Sequence, residues 1–214
     1  MHSHKDKLSM KSMMRYLLLF TCICFVTSCA TVHPTNFYTL TKPLPEAARN
    51  QQISTAKHAN MINISVDVPD GLKRPQIVIN NKNDSSLVLL EHHRWLSAFD
   101  EELNDALNSG IHGNTNIQAL ASNNRYQISV QLLQMDTVLS DRVATHFQWK
   151  IRRHNRDDKP SNASELVCEF SANKPTDTSV TSAVEAMQAI VQDLTQIISQ
   201  QIIELESAQT DKCN

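Results

Sequence analysis

The sequence predicts an α+β fold in which an antiparallel or mixed β-sheet packs against two helices, the C-terminal helix being long. Three observations support this prediction. Several segments alternate apolar and polar residues, residues 96–109 have the period of an amphipathic helix, and residues 179–206 continue that period much further. With 214 residues, of which 41% are hydrophobic and 20% charged, the chain is long enough to bury one core.

The N-terminus has the organisation of an export signal. Basic residues precede a 12-residue apolar run at positions 16–27, which is shorter than the about 20 residues that a membrane-spanning helix needs. The run ends in VTSC at 26–29, which looks like a bacterial lipobox, although the commonest form has Leu for Val26 and Ala or Ser for Thr27. We therefore predict that the Cys29 thiol is acylated and that cleavage then leaves this residue as the new N-terminus; the alternative is a soluble secreted protein cut nearby.

This signal divides the chain into a signal peptide (1–28), a lipidated tether (29–36), a folded domain (37–207) and a flexible tail (208–214). Ala30 follows the cysteine, where Asp would typically retain a lipoprotein in the inner membrane. By resemblance to sorted lipoproteins, the predicted location is the periplasmic face of the outer membrane.

The first half of the domain is predicted to hold short strands. Residues 37–41 carry β-formers, 42–59 indicate a loop, and 62–68 alternate strictly. Pro69, Asp70 and Gly71 supply turn chemistry, after which 76–79 and 87–90 indicate two strands that pair across a polar turn.

Residues 96–109 predict a helix with one apolar face. Leu96 opens its apolar stripe, Asp100 and Glu101 lie on the opposite face, and Gly110 is placed just past the end as a left-handed cap. The neighbouring carboxylates are interpreted as a solvated acidic face rather than as a general acid and base.

The second half of the domain predicts an antiparallel meander followed by the long helix. Residues 126–135, 142–151 and 166–172 alternate as strands, with Asp141 near a hairpin turn. For the helix at 179–206 the start signals are Ser182 with Glu185, which have capping-box spacing, or Thr178. Its broad apolar stripe favours packing across a sheet, with the far end available to a partner.

Composition and motifs exclude several functions. A net charge of -2 and a pI near 6.5 provide no basic surface for nucleic acid. Three glycines build neither a dinucleotide-binding nor a Walker A loop, and the serine hydrolase and zinc protease signatures are missing. His92 and His93 are adjacent in a predicted strand and so point to opposite faces, which disfavours a metal site. We expect no cofactor, no metal and no enzymatic activity.

Cys168 and Cys213 are the thiols that remain once the signal is removed and Cys29 is lipidated. An oxidising periplasm would allow them to pair, but one lies in mid-strand and the other in the terminal segment. The sequence leaves both states open.

Four motifs in order point to a family. Tyr-Thr-Leu at 38–40, VDVP at 66–69, LKRPQIV at 72–78 and Arg-Trp at 94–95 resemble the PqiC family of ABC-transporter auxiliary lipoproteins, the intermembrane transport lipoproteins. The resemblance runs from about residue 37 to the C-terminal helix. The paired His92-His93 before Arg94 is a departure from it.

The resemblance implies a non-enzymatic, outer-membrane-anchored subunit of a PqiABC-like system that moves lipids across the periplasm and supports envelope integrity. Its implied partners are an MCE-domain tunnel protein (PqiB-like), on which it docks, and a multi-pass inner-membrane protein (PqiA-like), with self-association also implied. Our hypothesis is that Arg74, Gln76, Arg94 and Trp95 contribute to the docking surface or to its local support.

Two other functions remain open at this point. One is an outer-membrane assembly lipoprotein that chaperones a β-barrel or a lipopolysaccharide translocon. The other is a periplasmic hydrolase using Asp or His, which requires a pocket where titratable groups with perturbed pKa values converge.

Overall fold

The computed structural model describes residues 33–41, 62–84, 86–118, 120, 125–154, 165–207 and 213. The predicted signal peptide, Cys29 and the predicted loop at 42–59 lie outside the described residues. Most of the predicted tail does so too.

The described residues form seven strands and three α-helices. In chain order its strands and helices are β1 Asn36–Tyr38, β2 Ile62–Asp67, a 3-10 turn Asp70–Leu72, β3 Gln76–Asn80, β4 Leu87–Trp95, α1 Phe99–His112, α2 Thr115–Gln118, β5 Arg125–Val138, β6 Arg142–His154, β7 Glu165–Pro175 and α3 Val180–Glu206. The predicted α+β class, with a long C-terminal helix, is confirmed. The short helix α2 was not predicted.

The strands form two sheets. The small sheet has the order β1-β4-β3, and the large sheet has the order β2-β5-β6-β7. Two pairs are parallel, β1 with β4 and β2 with β5, whereas the hairpins β3–β4, β5–β6 and β6–β7 are antiparallel. The predicted hairpins are confirmed, and the two parallel pairs make the sheets mixed.

One face of the large sheet forms the core. Alternate residues of β5, from Tyr126 to Leu132, and of β6, from Val143 to Ile151, are buried, and the residues between them face outward. This is the period of two expected for strands with one covered face.

Helices α1 and α3 cover that face. They pack against each other, α3 also contacts β6 and β7, and α1 contacts β2. The predicted packing of the long helix across a sheet is therefore confirmed. Polar contacts align the helix with the strands: Trp149 Nε1 donates to Gln201 Oε1 (2.8 Å), Arg153 donates to the Leu205 carbonyl (3.0 Å), and the Tyr126 hydroxyl donates to Glu206.

The predicted end of α1 was wrong. Gly110 lies inside the helix, which continues to His112 and ends at Gly113. A Cβ on Gly110 would come 2.5 Å from Thr195 Cγ2, so glycine at this position allows the close crossing of α1 and α3.

The predicted starts of both helices also need correction. Leu96 precedes α1 and is exposed, and its backbone N–H extends the small sheet by donating to the Tyr38 carbonyl (2.8 Å). Helix α3 is capped neither by Ser182 nor by Thr178, since the Ser179 side chain accepts from the Ser182 backbone N–H at 3.1 Å.

Cys168 and Cys213 form a disulfide with a Cα–Cα distance of 5.6 Å. Cys168 is buried beneath α3, where its sulfur also accepts from Gln201 Nε2 at 3.2 Å. The bond attaches residue 213 to β7, and the structure thus decides between the two states that the sequence left open.

Candidate functional site

The small sheet presents an exposed apolar face. The register places Phe37 beside Arg94, Arg94 opposite Gln76, and Leu89 opposite Val78. Residues paired in this way point to the same face of a sheet. Leu87 is paired with Asn80, and Val78 on this face is itself buried. We call the accessible members Phe37, Gln76, Leu87, Leu89 and Arg94 the outer face of the small sheet.

Two members of this face are large, apolar and mostly in solvent. Phe37 is 62% exposed and Leu87 is 65% exposed, and Leu89 is also exposed. On the opposite side of the same sheet Ile77 and Trp95 are buried in the core. Grouped exposed apolar residues of this kind typically mark interaction sites on soluble domains.

The two polar residues predicted here lie together. Gln76 and Arg94 are Cα partners where β3 begins and β4 ends. The Arg94 guanidinium donates to the Glu91 carboxylate (3.1 Å) and to its carbonyl (3.0 Å), which orients the side chain along the strand. The ion pair is partly exposed, so it contributes mainly to orientation.

Trp95 lies on the other side of the sheet from Arg94. It is only 3% exposed and packs on Phe99 with ring centroids 5.4 Å apart. Its backbone N–H donates to the Pro75 carbonyl at 2.7 Å, and the Phe99 N–H donates to the Arg74 carbonyl at 3.3 Å. Trp95 therefore has the position of a residue that supports the outer face from behind.

Arg74 lies where β3 joins the start of α1. It is half-buried, and its Nε has no hydrogen-bond partner among the described residues. The structure thus brings Arg74, Gln76 and Arg94 to one end of the small sheet, with Trp95 beneath them.

The residue pair Tyr38 and His93 attaches β1 to β4. The Tyr38 hydroxyl and His93 Nδ1 are 2.9 Å apart, and the two rings stack with centroids 5.9 Å apart. His93 is thus engaged in positioning β1, the strand that carries Phe37. Among the described residues, no group of three or more His, Cys, Asp or Glu side chains could hold a metal ion.

Glu102 is the residue that sequence reasoning missed. Its buried carboxylate accepts from the Thr39 hydroxyl (2.8 Å), the Leu40 N–H (2.9 Å), and the Ser97 N–H (3.3 Å) and hydroxyl (3.2 Å). It therefore joins the end of β1 to the start of α1. The only local signal is its position five residues after Ser97, because its acidic neighbours indicate a solvated face.

A Ser–His–Glu grouping lies on the exposed face of the large sheet. His146 Nδ1 is 2.7 Å from Ser171 Oγ, and its Nε2 is 3.7 Å from Glu169. Strand pairing accounts for this proximity, since His146 and Ser171 are register partners in β6 and β7. Acyl transfer additionally requires oxyanion donors around a substrate cavity, whereas these side chains stand on an open strand pair.

No helix in the described part of the chain has both the length and the hydropathy needed to cross a membrane.

Comparisons with known proteins bear on the family and on the fold. Residues 38–199 match the family model described as ABC-type transport auxiliary lipoprotein component. No curated protein matches the chain significantly.

Two solved structures share the fold. An uncharacterised protein superposes with a TM-score of 0.55 at 15% identity, over 79% of this chain and 99% of that chain. A protein from Xanthomonas campestris superposes with a TM-score of 0.53 at 12% identity, over 82% of this chain and 100% of that chain. At these identities the likeness concerns the fold alone.

The family match confirms the resemblance seen in the motifs at residues 38–40, 66–69, 72–78 and 94–95. It extends from the end of β1 into α3 and so includes both sheets and most of the helical layer. The chain therefore belongs to the family of ABC-type transport auxiliary lipoprotein components.

Proposed function

We propose that this protein is the outer-membrane-anchored lipoprotein of a PqiABC-like intermembrane lipid transport system. In this role it docks on the MCE-domain tunnel protein, works with the inner-membrane PqiA-like protein and supports envelope integrity. The observation that carries the proposal is the outer face of the small sheet, which carries exposed apolar side chains together with Gln76 and Arg94 in a chain of the auxiliary lipoprotein family.

The composition of this face favours a protein partner. Interfaces combine an apolar centre with arginine and aromatic residues. Phe37, Leu87 and Leu89 provide the apolar area, Arg94 is oriented by Glu91, and Gln76 offers amide hydrogen bonds. Trp95 supports this face from the core.

The position of the face in the chain fits an anchored protein. The seven residue steps from Cys29 to Asn36 span at most about 25 Å. Strand β1, with Phe37 at its centre, therefore stays close to any membrane in which a lipidated Cys29 is embedded. A partner that reaches that membrane from the periplasm would meet this strand early.

The test is co-purification of a tagged MCE-domain partner with the full chain from bacterial envelopes. Phe37→Asp and Leu87→Asp place a charge on the outer face, and each should reduce recovery of the partner at least tenfold. A tenfold loss corresponds to about 1.4 kcal/mol, which is modest for burying a carboxylate at an interface.

Leu133→Asp is the matched control, because Leu133 is also an exposed leucine but lies on β5 of the large sheet. It should leave recovery unchanged. Equal recovery with all three variants would contradict the proposal, and so would recovery of a β-barrel assembly protein instead of the MCE protein.

A further inference from the structure

A cavity that is open to solvent on one side lies between α1, α3 and the chain that follows β1. Its volume is about 380 Å³, and its wall includes Leu40, Thr41, Ala106, Val191 and Thr195. This volume falls within the range of about 300–1,000 Å³ typical of small-molecule sites. At about 30 Å³ for each water-sized group, it has room for roughly a dozen methylene groups.

The helix crossing forms the floor of the cavity. Gly110 presents no side chain there, and an added Cβ would collide with Thr195. The Thr195 hydroxyl is already donated to the Val191 carbonyl at 2.7 Å, so this threonine turns its polar atom to its own helix. The floor is therefore largely apolar.

None of the described residues that line the cavity is ionisable. A buried phosphate or carboxylate would need a cationic partner, because an unpaired charge is strongly disfavoured away from water. An uncharged hydrocarbon chain needs no such partner and gains about 25 cal/mol for each Å² of apolar surface removed from water. The charge pattern of the wall thus fits the chain of a lipid and disfavours its headgroup.

Amide side chains edge the cavity along α3. Gln188, Gln192 and Gln196 are spaced four residues apart and so lie above one another on one face of the helix. Gln188 donates to the Thr39 carbonyl at 2.8 Å, which positions the start of this row. Amides in this arrangement match the ester and glycerol oxygens at the polar end of an acyl chain.

We propose that this cavity binds one acyl chain of a phospholipid, with the headgroup outside at the glutamine row. The inference rests on the proposed envelope location but does not depend on docking. It makes the protein a direct lipid-binding component in addition to an anchored partner.

The test uses the full chain in bacteria grown with ³²P-phosphate. The photoreactive residue p-benzoylphenylalanine replaces Ser109 on α1 or Thr41 in the chain that follows β1, both of which line the cavity. Cells are irradiated, and the protein is purified under denaturing conditions. Acyl groups attached to Cys29 carry no phosphate, so ³²P on the protein reports phospholipid from another molecule.

Label at Ser109 and at Thr41 should exceed by at least tenfold the label at Asp105 and Glu185, which are exposed on α1 and α3 outside the cavity. Adding Thr41→Phe to the chain with the probe at Ser109 should narrow the cavity and lower the label severalfold. If the protein with the probe at Ser109 does not accumulate, the label on the protein with the probe at Thr41 provides the test. Thr41 lies outside every helix and strand, so a large residue is easier to accommodate there.

Equal label at cavity and control positions would overturn the inference, as would absence of label from both cavity positions in protein that accumulates normally. Co-purification of the MCE partner, measured on the same cells, separates the two proposals. If the MCE partner still co-purifies but the protein carries no ³²P, lipid binding is contradicted and docking is not. If the protein carries ³²P but the partner does not co-purify, docking is contradicted and lipid binding is not.

Discussion

Glu101 and Glu102 are neighbours of identical chemistry with different environments. Glu101 is exposed on α1, whereas the Glu102 carboxylate is buried. It accepts hydrogen bonds from residues that follow β1 and from Ser97, which precedes α1. Removing a buried charged acceptor leaves its donors unsatisfied, at about 1–3 kcal/mol for each.

Glu102→Ala should therefore lower the free energy of unfolding by about 3 kcal/mol, since Leu40 N–H and Ser97 N–H both lose their acceptor. Glu101→Ala should change it by less than about 0.5 kcal/mol. Urea unfolding followed by circular dichroism measures both. Similar losses of unfolding free energy in the two variants would contradict the role of Glu102 in joining the end of β1 to the start of α1.

Arg94 and Trp95 are also neighbours with different environments. Arg94 lies on the outer face of the small sheet, whereas Trp95 is buried behind it. Trp95→Ala should cost about 3–5 kcal/mol of stability, because a large side chain leaves the core. Arg94→Ala should leave thermal unfolding almost unchanged while weakening co-purification of the partner. A Trp95→Ala protein that unfolds at the normal temperature would show that the tryptophan is not part of the core.

His112, in the last turn of α1, gives a pH dependence. Burial lowers the pKa of His112 below its usual value of 6.5, so the unfolded chain binds a proton more readily than the folded one. Stability should fall as pH drops below about 6.5, and no effect is expected above it. In His112→Gln the loss of stability between pH 7 and 5 should be smaller; an identical slope would rule this contribution out.

Among the secondary-structure elements, helix α3 lies within the loop that the disulfide closes. The bond joins β7 to residue 213 across a sequence separation of 45 residues, and that loop contains the whole helix. In the loop-entropy account, closing a loop of this length stabilises the folded state by about 4 kcal/mol.

Cys213→Ser should therefore lower the melting temperature by roughly 10 °C, given about 2–4 °C per kcal/mol for a chain of this size. Replacing Cys213 is preferable to replacing Cys168, because Cys168 is buried and receives a hydrogen bond from Gln201. Reductant should lower the melting temperature of the wild type and leave the variant unchanged. A wild type insensitive to reductant would mean that the bond does not form in solution.

Elements with a strong local period were predictable from the sequence. β2, β6 and the part of β5 up to Leu132 alternate because one face of the large sheet is buried, and α3 carries an apolar stripe as long as the helix itself. Those patterns are local consequences of burial, so the sequence alone reveals them.

Features that depend on distant partners were not predictable. Gly110 looked like a helix cap because its role depends on Thr195, which is far away in the sequence. The parallel pairing of β1 with β4 and the burial of Glu102 likewise depend on residues that no local pattern connects. Of the candidate site, the sequence indicated Arg74, Gln76 and Arg94, but it gave no sign that Phe37 and Leu87 would be exposed.

We propose that the whole molecule consists of a folded domain and a separate site of membrane attachment. The strands and helices of the described domain begin at Asn36, whereas the predicted acylation site is Cys29. Each buried CH₂ of an acyl chain contributes about 0.8 kcal/mol, and a single chain binds membranes only marginally. Durable anchoring therefore requires the several chains of a lipoprotein cysteine.

Cys29→Ser removes the thiol that would be acylated, so the acyl mass should be lost from the N-terminal region of the protein. Its thermal unfolding should stay unchanged, because the described core residues lie between Leu40 and Leu205. Thr27→Ala brings the lipobox closer to its commonest form and should leave the protein in the membrane. Fractionation of envelopes followed by mass spectrometry of the N-terminal peptide measures both variants. If the wild type were recovered in the soluble fraction with an unmodified Cys29, the domain would lack the attachment that places the outer face of its small sheet near a membrane, and docking would then have to rely on protein contacts alone.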